Sequence, residues 1–112
     1  MRKIIIVKTQ FEATHCWPEC NIPAVSFLKN EHRHLFYVKV ALEIKEDRQV
    51  EFLTLKKEVE KFTFMNYRGL NLGSKSCEVI AEEIFKFVTY SFESCFSVQV
   101  FEDNENGAEV WS

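Results

Sequence analysis

The 112-residue sequence predicts an α+β domain, a four-stranded antiparallel sheet with two helices on one face. Three observations carry that reading. A period-two alternation runs for more than ten residues from His32, the mark of a long strand with one buried face. Two segments of helical period follow one another in the middle of the chain. Segments rich in β-branched and aromatic residues lie at both ends. The order is strand, strand, helix, helix, strand, strand, and paired helices between runs of strands imply an antiparallel sheet. No repeat, linker or shift in composition divides the chain, so residues 1–112 read as one domain.

Taken in order, Lys3 to about Thr14 is a strand, with Ile5, Val7, Thr9, Phe11, Ala13 and His15 on one face. Cys16 to Asn30 holds both prolines and has no clean period, which predicts a long loop. In the second strand His32, His34, Phe36, Val38, Val40, Leu42 and Ile44 share a face. Phe52, Leu55, Val59 and Phe62 recur at helical spacing, with Lys56, Lys57, Glu60 and Lys61 facing outward. A glycine-punctuated loop, 66–75, leads to a second helix from about Cys77 to Tyr90. Its stripe is Ile80, Ile84, Phe87 and Val88, and Ser76 is its cap. Phe96, Val98, Val100 and Glu102 alternate with Ser97, Gln99 and Phe101 in a third strand. Asp103–Gly107 is a turn and Ala108–Trp111 a last strand.

Composition narrows the function. Lys+Arg 14 against Asp+Glu 17 gives a net charge of −3, so the chain has no basic footprint for nucleic acid. Apolar runs such as Ile4–Val7 are far too short to cross a bilayer or to form a signal-peptide core, which predicts a cytoplasmic protein without a membrane partner. Cys16, Cys20, Cys77 and Cys95 are then expected to be thiols or metal ligands rather than disulfides. The eleven Phe are a heavy apolar load for a domain this small. They predict an aromatic core with Phe36 and Phe96 inside, or surface covered by other subunits.

Three features can carry chemistry. All three histidines lie in the first third of the chain. His32 and His34 are two apart on a strand and share a face, and His15 ends the neighbouring strand. Three imidazoles make a zinc site whose fourth position is free for water or substrate. The plainer reading is a strand that begins at the surface with polar residues, and a variant draws Cys16 or Cys20 in as a thiolate ligand. Glu102 ends an otherwise buried face. It either pairs with a base-like ligand that presents adjacent N–H donors, or marks where the strand reaches solvent beside Asp103 and Glu105. Among the thiols, Cys77 opens a helix, where the dipole favours a lowered pKa. Cys16 and Cys20 flank Pro18 as possible nucleophiles, and Cys95 reads as structural.

Several of these segments resemble one family. Phe11-Glu12-Ala13-Thr14-His15 is similar to the Phe-x-Ala-x-His of the 6-pyruvoyl- and 6-carboxytetrahydropterin synthases. Glu31-His32-Arg33-His34-Leu35-Phe36-Tyr37-Val38 resembles their His-Gly-His motif and the strand that follows it. Glu51-Phe52-Leu53-Thr54-Leu55-Lys56, Ser76-Cys77-Glu78-Val79-Ile80-Ala81 and Val98-Gln99-Val100-Phe101-Glu102 resemble later segments in the same order. The resemblance implies the tunnelling fold, or T-fold, with trimers closing a β-barrel and hexamers built from two trimers. It implies zinc on His15, His32 and His34, a site between subunits, and Glu102 anchoring a pterin. The implied activity is that of a carbon–oxygen lyase on a dihydroneopterin triphosphate-like pterin or deazaguanine precursor.

The chain also departs from the pattern. Where the family carries its catalytic Cys, Ser26 to Glu31 contains none, and Ser26 is the nearest match. Where the family carries an Asp-His pair, Thr63 to Lys75 has neither residue. The metal set is kept and the proton-transfer set is missing. Glu31, Cys20 and Cys16 are the candidate substitutes. The alternative is a protein that binds a pterin or purine-like ligand or nucleotide without the family reaction.

Overall fold

Thirteen residues of alternating polarity make each of the two longest strands, β1 (Lys3–His15) and β2 (His32–Ile44), in the computed structural model, which describes residues 1–112. Helices α1 (Phe52–Asn66) and α2 (Cys77–Phe92) follow, then strands β3 (Ser97–Glu102) and β4 (Asn106–Trp111). The sheet is antiparallel throughout, in the order β1-β2-β3-β4. The predicted fold class and element order are those observed, with α1 packed on β1 and α2 on β3 and β4.

Register fixes what each face carries. His15 pairs with His32, Ala13 with His34, and Phe36 lies between Phe11 and Glu102. Alternation then puts Val7, Phe11, Ala13, Phe36, Val38, Val40, Val98 and Val100 under the helices, all buried. Leu55 and Val59 of α1 and Ile80, Ala81, Ile84 and Val88 of α2 close the core from above. Phe11 stacks between Phe36 and Tyr67, with ring centroids 5.2 Å away on either side. Truncating such a ring to Ala costs about 3–5 kcal/mol.

The caps follow sequence chemistry. Ser76 accepts from the Val79 amide at the start of α2. Glu51 accepts from the Leu53 and Thr54 amides at the start of α1. Residues 69–73 lie along the free edge of β1. Gly69 donates to the Glu12 carbonyl, Leu72 to the Thr14 carbonyl and Cys16 to the Gly73 carbonyl. The sheet edge is therefore covered where it approaches the histidines.

Three expectations are corrected. Cys16–Asn30 is not all loop: Pro23–Lys29 forms a 3-10 helix opened by its proline. Phe52 is 56% exposed, and Thr63 takes the inward position at the far end of the α1 stripe. Phe96 precedes β3, is half-buried and lies outside the core. Only Phe11 and Phe36 of the eleven Phe are fully buried, while five others pack around the core's rim.

Candidate metal centre

The core face of the sheet does not end where the helices do. It runs on past Phe36 to His34 and His32 on β2 and to His15 on β1, and the polar residues that continue it meet at one point. One coordinating nitrogen from each of the three rings lies within 4.8 Å of the others. Phe36 forms the floor, its ring 5.3 Å from His15 and 5.8 Å from His34.

The hydrogen bonds decide which nitrogen of each ring faces inward. His15 Nδ1 is 2.8 Å from the Lys75 carbonyl oxygen, and His32 Nδ1 is 2.8 Å from that of Asn30. His34 Nδ1 is 2.7 Å from Asp103 Oδ2. An acceptor at Nδ1 places the proton there and leaves Nε2 as a bare lone pair. Nε2 of His15 and of His34 are buried and have no hydrogen-bond partner. Buried polar atoms are rarely left so, and three imidazoles held from behind by oxygen acceptors are the second shell that zinc ligands use. The three histidines therefore fit a zinc ion by their donor type, their mutual distances and their orphaned lone pairs.

Asp103 was not singled out by pattern, yet it ties the site together. With Asn104 it has positive φ, the conformation that a tight hairpin turn requires and that Asp and Asn tolerate. This turn sends its backbone back to β2: Asp103 N–H donates to the Leu35 carbonyl and Oδ1 accepts from the Leu35 amide. Its other oxygen is then free for His34. The available signal was an acidic residue one place beyond a strand that must pair with the His-bearing strand.

Glu102 lies where alternation predicts, on the histidine face. Its Oε2 is 3.0 Å from His15 Nε2 and its Oε1 is 3.7 Å from His34 Nε2. The oxygen at His15 lies beside the ring rather than in line with an Nε2–H, so this is a close approach and not an aligned hydrogen bond. Contact with His15 holds the Glu102 carboxyl below its usual range against the opposing effect of burial, aided by the charge of His34. The same contact raises the His15 pKa.

Beside the histidines opens a cavity of about 510 Å³, lined by Cys16, Trp17, Leu28 and Cys77 together with His15 and Glu102. Of the three proposed proton-transfer residues, the structure brings only Cys16 here. Cys20 is buried away from the cavity, its thiol against the carbonyls of Ile22 and Val25. Glu31 accepts from the Thr14 hydroxyl at 2.6 Å, beside Arg33 and Glu12 on the other face of the sheet. Alternation explains this placement, since Glu31 and Arg33 flank His32 and must point away from it. The expectation for Cys77 is reversed: burial pushes its thiol up to about 12, with the charges of Glu102 and Glu78 adding to the effect, and outweighs the helix dipole. Burial likewise raises Cys95 to about 12. All four cysteines are free thiols.

Comparison with solved structures defines the class of fold. The chain matches 6-pyruvoyl tetrahydropterin synthase of Caenorhabditis elegans with a TM-score of 0.82 at 16% identity, over 100% of this chain and 96% of that one. It matches an uncharacterized protein of Wolinella succinogenes with a TM-score of 0.83 at 13% identity, over 100% and 99% of the two chains. No family model matches the sequence, nor does any curated protein. The chain therefore has the tetrahydropterin synthase fold over its full length. No helix is long and apolar enough to cross a membrane.

Proposed function

We propose that this is a zinc protein of tetrahydropterin-synthase type that acts on a pterin or deazaguanine-precursor substrate. The observation that carries the reading is the histidine arrangement: three rings fixed through Nδ1, with Nε2 atoms gathered together and two of them orphaned. His15, His32 and His34 would hold the ion. Zinc in that position polarises a bound hydroxyl or carbonyl.

The remaining roles fall to side chains around the cavity, whose volume suits a small bicyclic ligand. Glu102 offers two acceptor oxygens to the adjacent N–H donors of a pterin or purine-like ring. Cys16 is the half-exposed thiol at the cavity wall and is the proposed proton carrier in place of a Cys-Asp-His set. The two uncovered sheet edges, β1 over its first half and β4, support assembly into a trimer or hexamer. The free thiols support a reducing, cytoplasmic location.

The test is incubation of zinc-loaded protein with dihydroneopterin triphosphate, followed by product analysis. The expected result is substrate loss that His34→Ala abolishes. A rise in melting temperature without turnover would instead identify a binding protein of the same fold, the second reading that the absent Asp-His pair favours. The absence of both turnover and a thermal shift would remove the pterin assignment.

A further inference from the structure

Trp17 follows His15 by two residues, and the chain around it is firmly held. Its N–H donates to the Leu28 carbonyl at 2.7 Å and its own carbonyl accepts from the Cys20 N–H at 3.1 Å. One residue earlier, the Cys16 N–H donates to the Gly73 carbonyl at 2.8 Å. Pro18 disfavours helical backbone at the residue before it. Yet the side chain on this fixed backbone is 43% exposed and lines the cavity beside Leu28 and Glu102. Tryptophan is on average a highly buried residue. Phe, Tyr and His rings make every aromatic pair of the chain, and Trp17 enters none of them. The two cations that sit over aromatic rings choose Phe64 and Tyr67. The other tryptophan, Trp111, is 70% exposed and is no part of the cavity wall. The cavity thus holds a large, anchored π surface that nothing in the chain covers. A carboxylate such as Glu102 can grip a flat ring only along its edge. The faces of the ring need a partner of another kind, and stacking on an aromatic side chain supplies it.

We infer that Trp17 is the stacking platform of the cavity and takes the flat face of a planar bicyclic heteroaromatic ring whose N–H edge Glu102 holds. The inference rests on the pterin or deazaguanine reading above and deepens it by assigning a residue that selects the ring. The edge contact reads the pattern of donors, and the face contact reads planarity and ring size. A ligand with the donors but without an extended flat face satisfies Glu102 and gains nothing from Trp17.

The experiment uses the zinc-loaded full chain and 7-deazaguanine, a planar ring with adjacent N–H donors that does not absorb where tryptophan emits. In a Trp111→Phe variant Trp17 is the only tryptophan left. 7-Deazaguanine is expected to quench its fluorescence in step with the binding that calorimetry measures. Trp17→Leu keeps an apolar wall but no π face. It is expected to bind about 5–150-fold more weakly, and Trp17→Phe to recover most of that loss. Zinc content and circular dichroism of both variants are expected to match the native chain. Should Trp17→Leu lose its native circular dichroism, the quenching in Trp111→Phe decides alone. Trp17 emission unmoved by saturating 7-deazaguanine overturns the inference, and so does a Trp17→Phe variant that binds no better than Trp17→Leu. Native protein that binds neither 7-deazaguanine nor pterin overturns the ligand reading and this inference with it. Native binding that Trp17→Leu leaves unaltered overturns the role of Trp17 alone.

Discussion

Residues 31–34, which lead into and open β2, and their partners on β1 build two polar clusters, one on each face of the sheet, and only one of them is left incomplete. On the outer face Arg33 pairs with Glu12, and Thr14 donates to Glu31. Every charged group there has a partner within the chain, and the Arg33–Glu12 pair is half-exposed or more. On the inner face the three histidines are satisfied at Nδ1, while the buried Nε2 atoms of His15 and His34 have no hydrogen-bond partner. The residue types are similarly polar and the positions alternate one by one along the strand. What distinguishes the inner face is therefore the unmet bonding capacity that burial makes costly, and not polarity.

Substitutions at neighbouring positions test this contrast. The largest effect is expected from His15→Ala, which should abolish stoichiometric zinc binding in metal analysis of the purified protein. Arg33→Ala, placed between two ligands but on the satisfied face, should leave zinc content unchanged and cost less than about 1 kcal/mol in urea unfolding. Zinc loss on Arg33→Ala would show that the two faces are not independent. Next in size, Asp103→Asn should weaken zinc binding about 10–100-fold, because the neutral amide holds His34 less firmly and lowers its basicity. Competition with a chelating dye measures this, and an unchanged constant would mean that the Asp103 contact does not tune the ligand.

The smallest effect concerns the support behind His15. Lys75, whose carbonyl orients that ring, has its ammonium 2.8 Å from both Glu83 oxygens, and the Tyr67 hydroxyl donates to Glu83 at 2.8 Å. Burial pushes the Glu83 carboxyl up, but Lys75 and Tyr67 together outweigh it and leave it below its ordinary 4.5. As pH falls, the unfolded chain therefore takes up this proton first. The stability from this contact is present above about pH 4.5 and is lost as pH falls below it. Glu83→Gln should flatten the acid limb of the melting temperature profile, and an unaltered limb would place the contact outside the stability balance.

The fold was legible because its signals are local and periodic. The alternation from His32 to Ile44 defines β2 and its buried face, and Ser76 before Cys77 marks the start of α2. The same alternation put His32 and His34 on one side and Glu102 with them. Less legible was whatever depends on a partner distant in sequence. The carbonyl behind His15 belongs to Lys75, sixty residues away, and a backbone group leaves no trace in a pattern of side chains. Cys77 reads as an activated thiol from its helix position, but the sheet beneath it buries the sulfur and reverses the effect. Cys20 stands near His15 in sequence, yet the turn after Trp17 carries it away from the cavity. Glu31 shows the opposite fault, since strict alternation already places it behind the sheet.

The register of β3 on β2 has one more consequence. The three histidines are in place by residue 34, but the carboxylates that face and steady them are residues 102 and 103 of 112. The cluster is assembled only when the last hairpin docks, so on the zinc reading proposed above tight capture of the ion would report a finished fold. A chain still in synthesis, or one clipped before its final turn, carries every histidine and would hold the metal loosely. On that reading metal retention would be a proofreading signal for the C-terminal hairpin, written into the order in which the sheet is assembled.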